Sequence, residues 1–149
     1  MAMPIRRKVP YLSKGRSPAA QAGFEQYNAS FILETHARKE SDPCKRADLL
    51  EAAAETAHNA YRSGMRHRAR SEARRRAVLL HLVAAAEFVS VFDMFRAKYN
   101  VEMAASAAAK KAEISASAAA LRRLGDIEAE RVPPVMDAGE LAKILMRRQ

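Results

Sequence analysis

Between Pro43 and Pro133 the chain holds no proline, and its only glycines there are Gly64 and Gly125. A stretch of that length, rich in alanine, arginine and leucine, folds as helix, because these residues lose little rotamer freedom there and all keep their backbone donor. Read as one helix, residues 65–131 would extend about 100 Å at roughly 1.5 Å per residue. A chain of 149 residues folding as one domain is far smaller than that. The helix must therefore turn back on itself, and the break is expected around Tyr99 and Asn100. The fold class that follows is all-α: long alanine-rich helices forming a helical hairpin or small bundle.

Local signals mark the other elements. Ser17–Pro18 and Asp42–Pro43 each place a capping oxygen before a proline at the first helical position. Phe24, Tyr27 and Phe31 then share one helical face. The helical body is thus read as residues 17–131, with helices over about 18–39, 43–62, 65–99 and 101–131. Residues 1–16 carry Arg6, Arg7, Lys8, Lys14 and Arg16 among prolines and a glycine, the composition of an extended basic arm. Residues 135–149 read as a short C-terminal helix and tail: Asp137 and Glu140 have capping-box spacing, and Leu141, Ile144 and Leu145 make an apolar patch that docks on the body or on another subunit. After Asn100, Ile114, Ala118, Leu121 and Leu124 form a thin apolar stripe.

The most apolar segment, ARRRAVLLHLVAAAEFVSVFDMFRAK (residues 73–98), follows three arginines. On a helical wheel Phe88, Phe92, Phe95 and Tyr99 fall in one sector with His81, and Phe24, Tyr27 and Phe31 of the first helix are their expected packing partners. Leu79, Val83, Ala86 and Met94 cover the other side, so this helix is expected to be buried all round. Residues 77–97 are long enough to span a bilayer, but His81, Glu87 and Asp93 leave no lipid-facing side free of an ionisable group, which opposes independent insertion. Glu87 has only Val83, Ala84, Ser90 and Val91 at helical-neighbour positions. Its partner is expected from elsewhere in the fold or from another chain, which makes it an interchain pairing candidate.

The formal charge of +9 implies anionic partners. Arg62, Arg66, Arg68, Arg70, Arg74, Arg75 and Arg76, with His67, stand against a single acid, Glu72. Arg62, Arg66, Arg70 and Arg74 descend one turning stripe, and with Arg75, Arg76 and the arm's Arg6, Arg7 and Lys8 they are the expected anion-binding residues. An acidic protein surface is the expected target; RNA and membrane contact stay open, although no aromatic platform interleaves the block as RNA readers require. Within it, AYRSGMR (residues 60–66) is similar to the LYR-type helix motif of small mitochondrial assembly factors and accessory subunits. Tyr61 and Arg62 stand in the tyrosine and arginine places, and alanine stands where leucine is usual.

Catalytic chemistry finds no constellation. His36, His58, His67 and His81 lack metal-ligand spacing, the five glycines make no phosphate or dinucleotide loop, and Cys44 is a lone thiol without a base, so neither cofactor nor metal is expected. The chain is therefore read as a non-catalytic structural or accessory subunit of a large multisubunit complex. It would bind other protein subunits through apolar helix faces and the Arg-rich segment. A ribosomal-type RNA-binding protein and a single-span membrane-anchored subunit of a respiratory-type complex are the alternatives. No apolar signal follows the amino terminus, and the first acid is Glu25, a basic start consistent with a mitochondrial destination.

Overall fold

The computed structural model describes residues 17–63 and 65–146, and among them it contains six helices and no strand. These are α1 (Pro18–Lys39), α2 (Pro43–Arg62), α3 (His67–Ser90), α4 (Met94–Ala107), α5 (Lys111–Glu128) and α6 (Ala138–Met146). The arm, Gly64 and the last three residues lie outside the described residues. Ser17 Oγ accepts from the Ala20 N–H (3.1 Å) and Asp42 Oδ1 from the Cys44 N–H (3.0 Å), so both proline-led helices start on a side-chain cap.

The first four helices run alternately up and down, and α3 is the axis. It packs against α2, α4, α5 and α6, and Ala77, Val78, Leu80, His81, Leu82, Ala84, Ala85, Ala86, Phe88 and Val89 are buried along it. That burial accounts for an apolar helix without a polar face: each large aliphatic side chain removed from water stabilises the fold by about 1.5–3 kcal/mol. Its contacts with α2 are built from Ala53, Ala54 and Ala57 against Ala77 and Leu80. Small side chains let the two axes approach closely but fill little volume, so polar clamps between helices carry much of the specificity. Arg76 is one: it donates to Ser30 Oγ (2.9 Å) and Glu34 (2.6 Å) on α1 and lies 3.6 Å from the Phe31 ring centroid.

Two breaks depart from the sequence expectation. The long helix ends at Ser90, not near Tyr99, and a three-residue turn separates it from α4; Tyr99 and Asn100 lie inside α4. Phe92 adopts φ 61° in that turn, and Asp93 then caps α4 by accepting from the Arg96 N–H (3.1 Å). The second break is at Ala108–Lys110, where Glu113 accepts from the Ala109 and Lys110 N–H groups (3.0 and 2.9 Å) and starts α5. Residues 77–97 are thus not one continuous helix, and no described helix is long and apolar enough to cross a membrane. On α5 the buried face is Ala112, Ala116, Ala120, Leu124 and Ile127, whereas Ile114 and Leu121 are exposed. The C-terminal helix α6 docks on its own chain, with Leu141 and Met136 buried in the main core against α3 and α5.

Gly23 is where α1 meets the α2–α3 corner. A methyl group there would run into Ser63 Oγ and Met65 Cγ, so the approach requires glycine.

Candidate functional site

The arginine block divides once its side chains are placed. Arg74 is 6% exposed and reaches the α4–α5 junction, where Nη1 donates to Glu113 Oε1 (2.5 Å) and to the Ala107 carbonyl (3.0 Å). Burial pushes the Glu113 carboxyl up, but the Arg74 fork and the Ala109 and Lys110 N–H groups outweigh it and hold it below the ordinary carboxylate value. Arg74 is therefore an internal clamp rather than a side chain standing free at the surface. Arg76 of α3 is likewise turned inward, half-buried against Ser30 and Glu34 of α1. Arg6, Arg7 and Lys8 lie outside the described residues.

What the stripe leaves exposed is gathered at one pole: Arg62 at the end of α2, and Arg66, Arg68, Arg70 and Arg75 at the start of α3. Arg70 donates from Nε to the Tyr61 carbonyl (3.0 Å), with its guanidinium 5.1 Å from the Tyr61 ring centroid. The junction bound by Arg74 brings the exposed Lys110 and Lys111 to the same end. α1 also enters there, since Phe24 packs with Ala60, Met65 and Ala73. The opposite end mixes signs: Glu87 pairs with Arg46 (2.5 Å), and Arg96 with Asp48 (2.6 Å). Glu87 is thus paired within the chain, by an α2 arginine 41 positions away that inspection of its own helix could not reveal.

The aromatic stripe is also divided. Phe88 is buried beneath Arg96, whose guanidinium lies 5.4 Å from its ring centroid. Phe92 is 73% exposed and Phe95 85%, and Tyr99 lies at the surface with its hydroxyl on Glu55 (3.1 Å). The break at 91–93 rotates these rings out of the sector they would share with Phe88 on a continuous helix. Phe92 and Phe95 thus stay exposed instead of packing on α1 as expected, and on α1 Tyr27 and Phe31 meet each other edge to face at 5.2 Å while Phe31 turns its ring to Arg76. Two bare phenylalanines therefore crown a rigid corner, since the turn is closed by the Asp93 N–H on the Phe88 carbonyl (2.9 Å) and by the Asp93 cap.

Between pole and corner runs a buried polar chain that the sequence reading did not assemble. Asn100 donates from Nδ2 to Glu51 and to the Arg96 carbonyl (both 2.9 Å), so its Oδ1 is the acceptor facing His81 Nδ1 (2.8 Å). His81 must then carry its proton on Nδ1 and accept at Nε2 from the His58 Nδ1–H (3.2 Å). Both imidazoles are held neutral near pH 7: burial above all lowers each to about 4, the Arg62 charge adds to it, and at His81 the Asn100 hydrogen bond opposes it. Among the described residues no group of three or more histidine, cysteine or carboxylate side chains could hold a metal ion.

No protein-family model matches the chain, and no curated protein or solved structure is significantly similar to it.

Proposed function

We propose that the chain is a non-catalytic accessory subunit of a larger assembly, anchored on a protein partner by the Phe92–Phe95 corner and oriented by the arginine pole. The observation that carries this reading is the corner. A phenylalanine in the left-handed region costs on the order of 1–3 kcal/mol, and such strain collects at functional positions. Here it holds an aromatic ring in solvent beside a second one. Burying both rings on a partner would return roughly 2 kcal/mol each, enough for about a thousandfold in affinity.

The arginine pole supplies steering and orientation rather than bulk affinity, because its charges are exposed and screened by salt. A mitochondrial setting is proposed on the acid-free run before Glu25 alone. The test is affinity capture of the tagged full chain from its native source beside the Phe92→Ala/Phe95→Ala variant. Loss of the same co-purifying subunits from the variant, with helicity unchanged, is expected. Undiminished recovery of those subunits would refute the anchor, and recovery of RNA in place of protein would refute the accessory-subunit reading.

A further inference from the structure

At the arginine pole a cavity of about 160 Å³ opens between α2 and α3, lined by Tyr61, His67, Arg70, Ser71 and Arg74. Each lining side chain carries a hydrogen-bond donor, and none is a carboxylate. We propose that this cavity receives a phosphate monoester group carried by the protein partner, an inference that rests on the docking reading above.

The sequence spacing makes the site. Residues 67, 70, 71 and 74 stand at i, i+3, i+4 and i+7 on the first two turns of α3, so their side chains share one face. Arg74 forms a fixed floor because Glu113 and the Ala107 carbonyl already hold its guanidinium. Arg70 is fixed through Nε on the Tyr61 carbonyl, which leaves its terminal amines for a ligand. The start of α3 has no side-chain cap, so its first N–H groups add partial positive charge at the same end.

Phosphate chemistry suits this arrangement better than a carboxylate. A monoester brings close to two negative charges and three acceptor oxygens in a tetrahedral array, matching several convergent donors. A nucleic acid is disfavoured by the state of the one tyrosine in the lining: one contact on Tyr61 is the Arg70 guanidinium, and the His58 ring lies tilted 6.0 Å from it, so this ring offers no open platform for a base.

The experiment is calorimetric titration of the full chain with inorganic phosphate, a phosphoserine peptide, its unphosphorylated twin, a glutamate-rich peptide and a short single-stranded RNA. Saturable binding of the phosphopeptide, competed by inorganic phosphate and at least about tenfold tighter than the twin, is expected for charge-assisted hydrogen bonds. Arg70→Ala and His67→Gln should each weaken phosphate binding about tenfold with unchanged thermal melts, whereas Arg68→Ala, outside the cavity, should not. Equal affinity for the two serine peptides, or RNA binding that displaces the phosphopeptide at lower concentration, overturns the proposal. If the glutamate-rich peptide binds in a salt-sensitive way while phosphate does not, the cavity proposal falls and the docking reading stands. Failure of the docking reading shows separately, in the Phe92→Ala/Phe95→Ala capture.

Discussion

Lowering the pH from 7 towards 4 offers protons to two imidazoles that the fold holds neutral. In the unfolded chain both histidines titrate near 6.5; in the native chain burial above all brings each down to about 4, at His81 against the opposing Asn100 hydrogen bond. Above pH 6.5 the two states bind the same protons at these sites. Between 6.5 and about 4 the unfolded chain gains protons that the native chain refuses, so stability falls as the pH falls. At about 1.4 kcal/mol per pH unit, this interval is worth about 3 kcal/mol per imidazole, a large part of the 5–15 kcal/mol that holds a typical domain together. Geometry gives the same sign. A proton on His81 Nε2 would face the His58 Nδ1–H at the 3.2 Å contact, and the nearby carboxylates, Glu51 and Glu55, are engaged by Asn100 and Tyr99.

Urea unfolding followed by circular dichroism at pH 7, 5.5 and 4.5 measures that slope. In His81→Gln the slope between 6.5 and 4.5 should fall by at least half, because one titrating group is gone and His58 loses the His81 contribution to its own lowering. Proton resonances of the rings should titrate with midpoints near 4 in the native chain. Ring midpoints near 6.5, or parallel slopes for the wild type and the variant, would refute the neutral-pair reasoning.

Other perturbations separate the clamps from the docking surface. Gly23→Ala drives a methyl group into Ser63 Oγ, which is held on the Ala60 carbonyl (2.6 Å), and should cost about 1–3 kcal/mol in urea unfolding. Arg74→Ala strands the buried Glu113 and should cost about 3–5 kcal/mol, whereas Arg68→Ala, exposed on the next turn of the pole, should change stability by less than about 0.5 kcal/mol. Ser117 Oγ is buried without a hydrogen-bond partner, so Ser117→Ala should raise stability by about 1 kcal/mol. Phe92→Gly relieves the left-handed backbone at a ring that is 73% exposed; thermal melts should show equal or higher stability while partner capture is lost.

The helix starts at Ser17–Pro18 and Asp42–Pro43 were legible because a cap is local chemistry: an oxygen, a proline and three residues decide it. The breaks at 91–93 and 108–110 carry neither glycine nor proline. The first falls where α3 ends at Ser90 and the second between α4 and α5, and Phe92 takes its positive φ in the first. A weaker local signal did exist, since Asp93 and Glu113 both sit where a carboxylate can accept the first N–H groups of a helix. Periodicity hid it, because the apolar pattern continues straight through both turns.

The arginine pattern misleads for a related reason. A stripe of arginines treats every guanidinium alike, yet the fold sorts them by depth, and depth depends on acids far along the chain. Glu113 is the only acid between Glu102 and Asp126, set in a run of alanines and serines. A lone carboxylate on a face of small residues cannot be left uncompensated when two helices close on it, so it forecasts a buried cation without naming Arg74. His58 and His81 follow the same logic, each an isolated polar ring among alanines that line helix contacts. In a chain whose core is mostly alanine, a solitary polar residue on an otherwise small face marks where helices are pinned together. On the reading proposed above, the residues left for partners are Phe92 and Phe95 at one end, and Arg62, Arg66 and Arg68, with the terminal amines of Arg70, at the other.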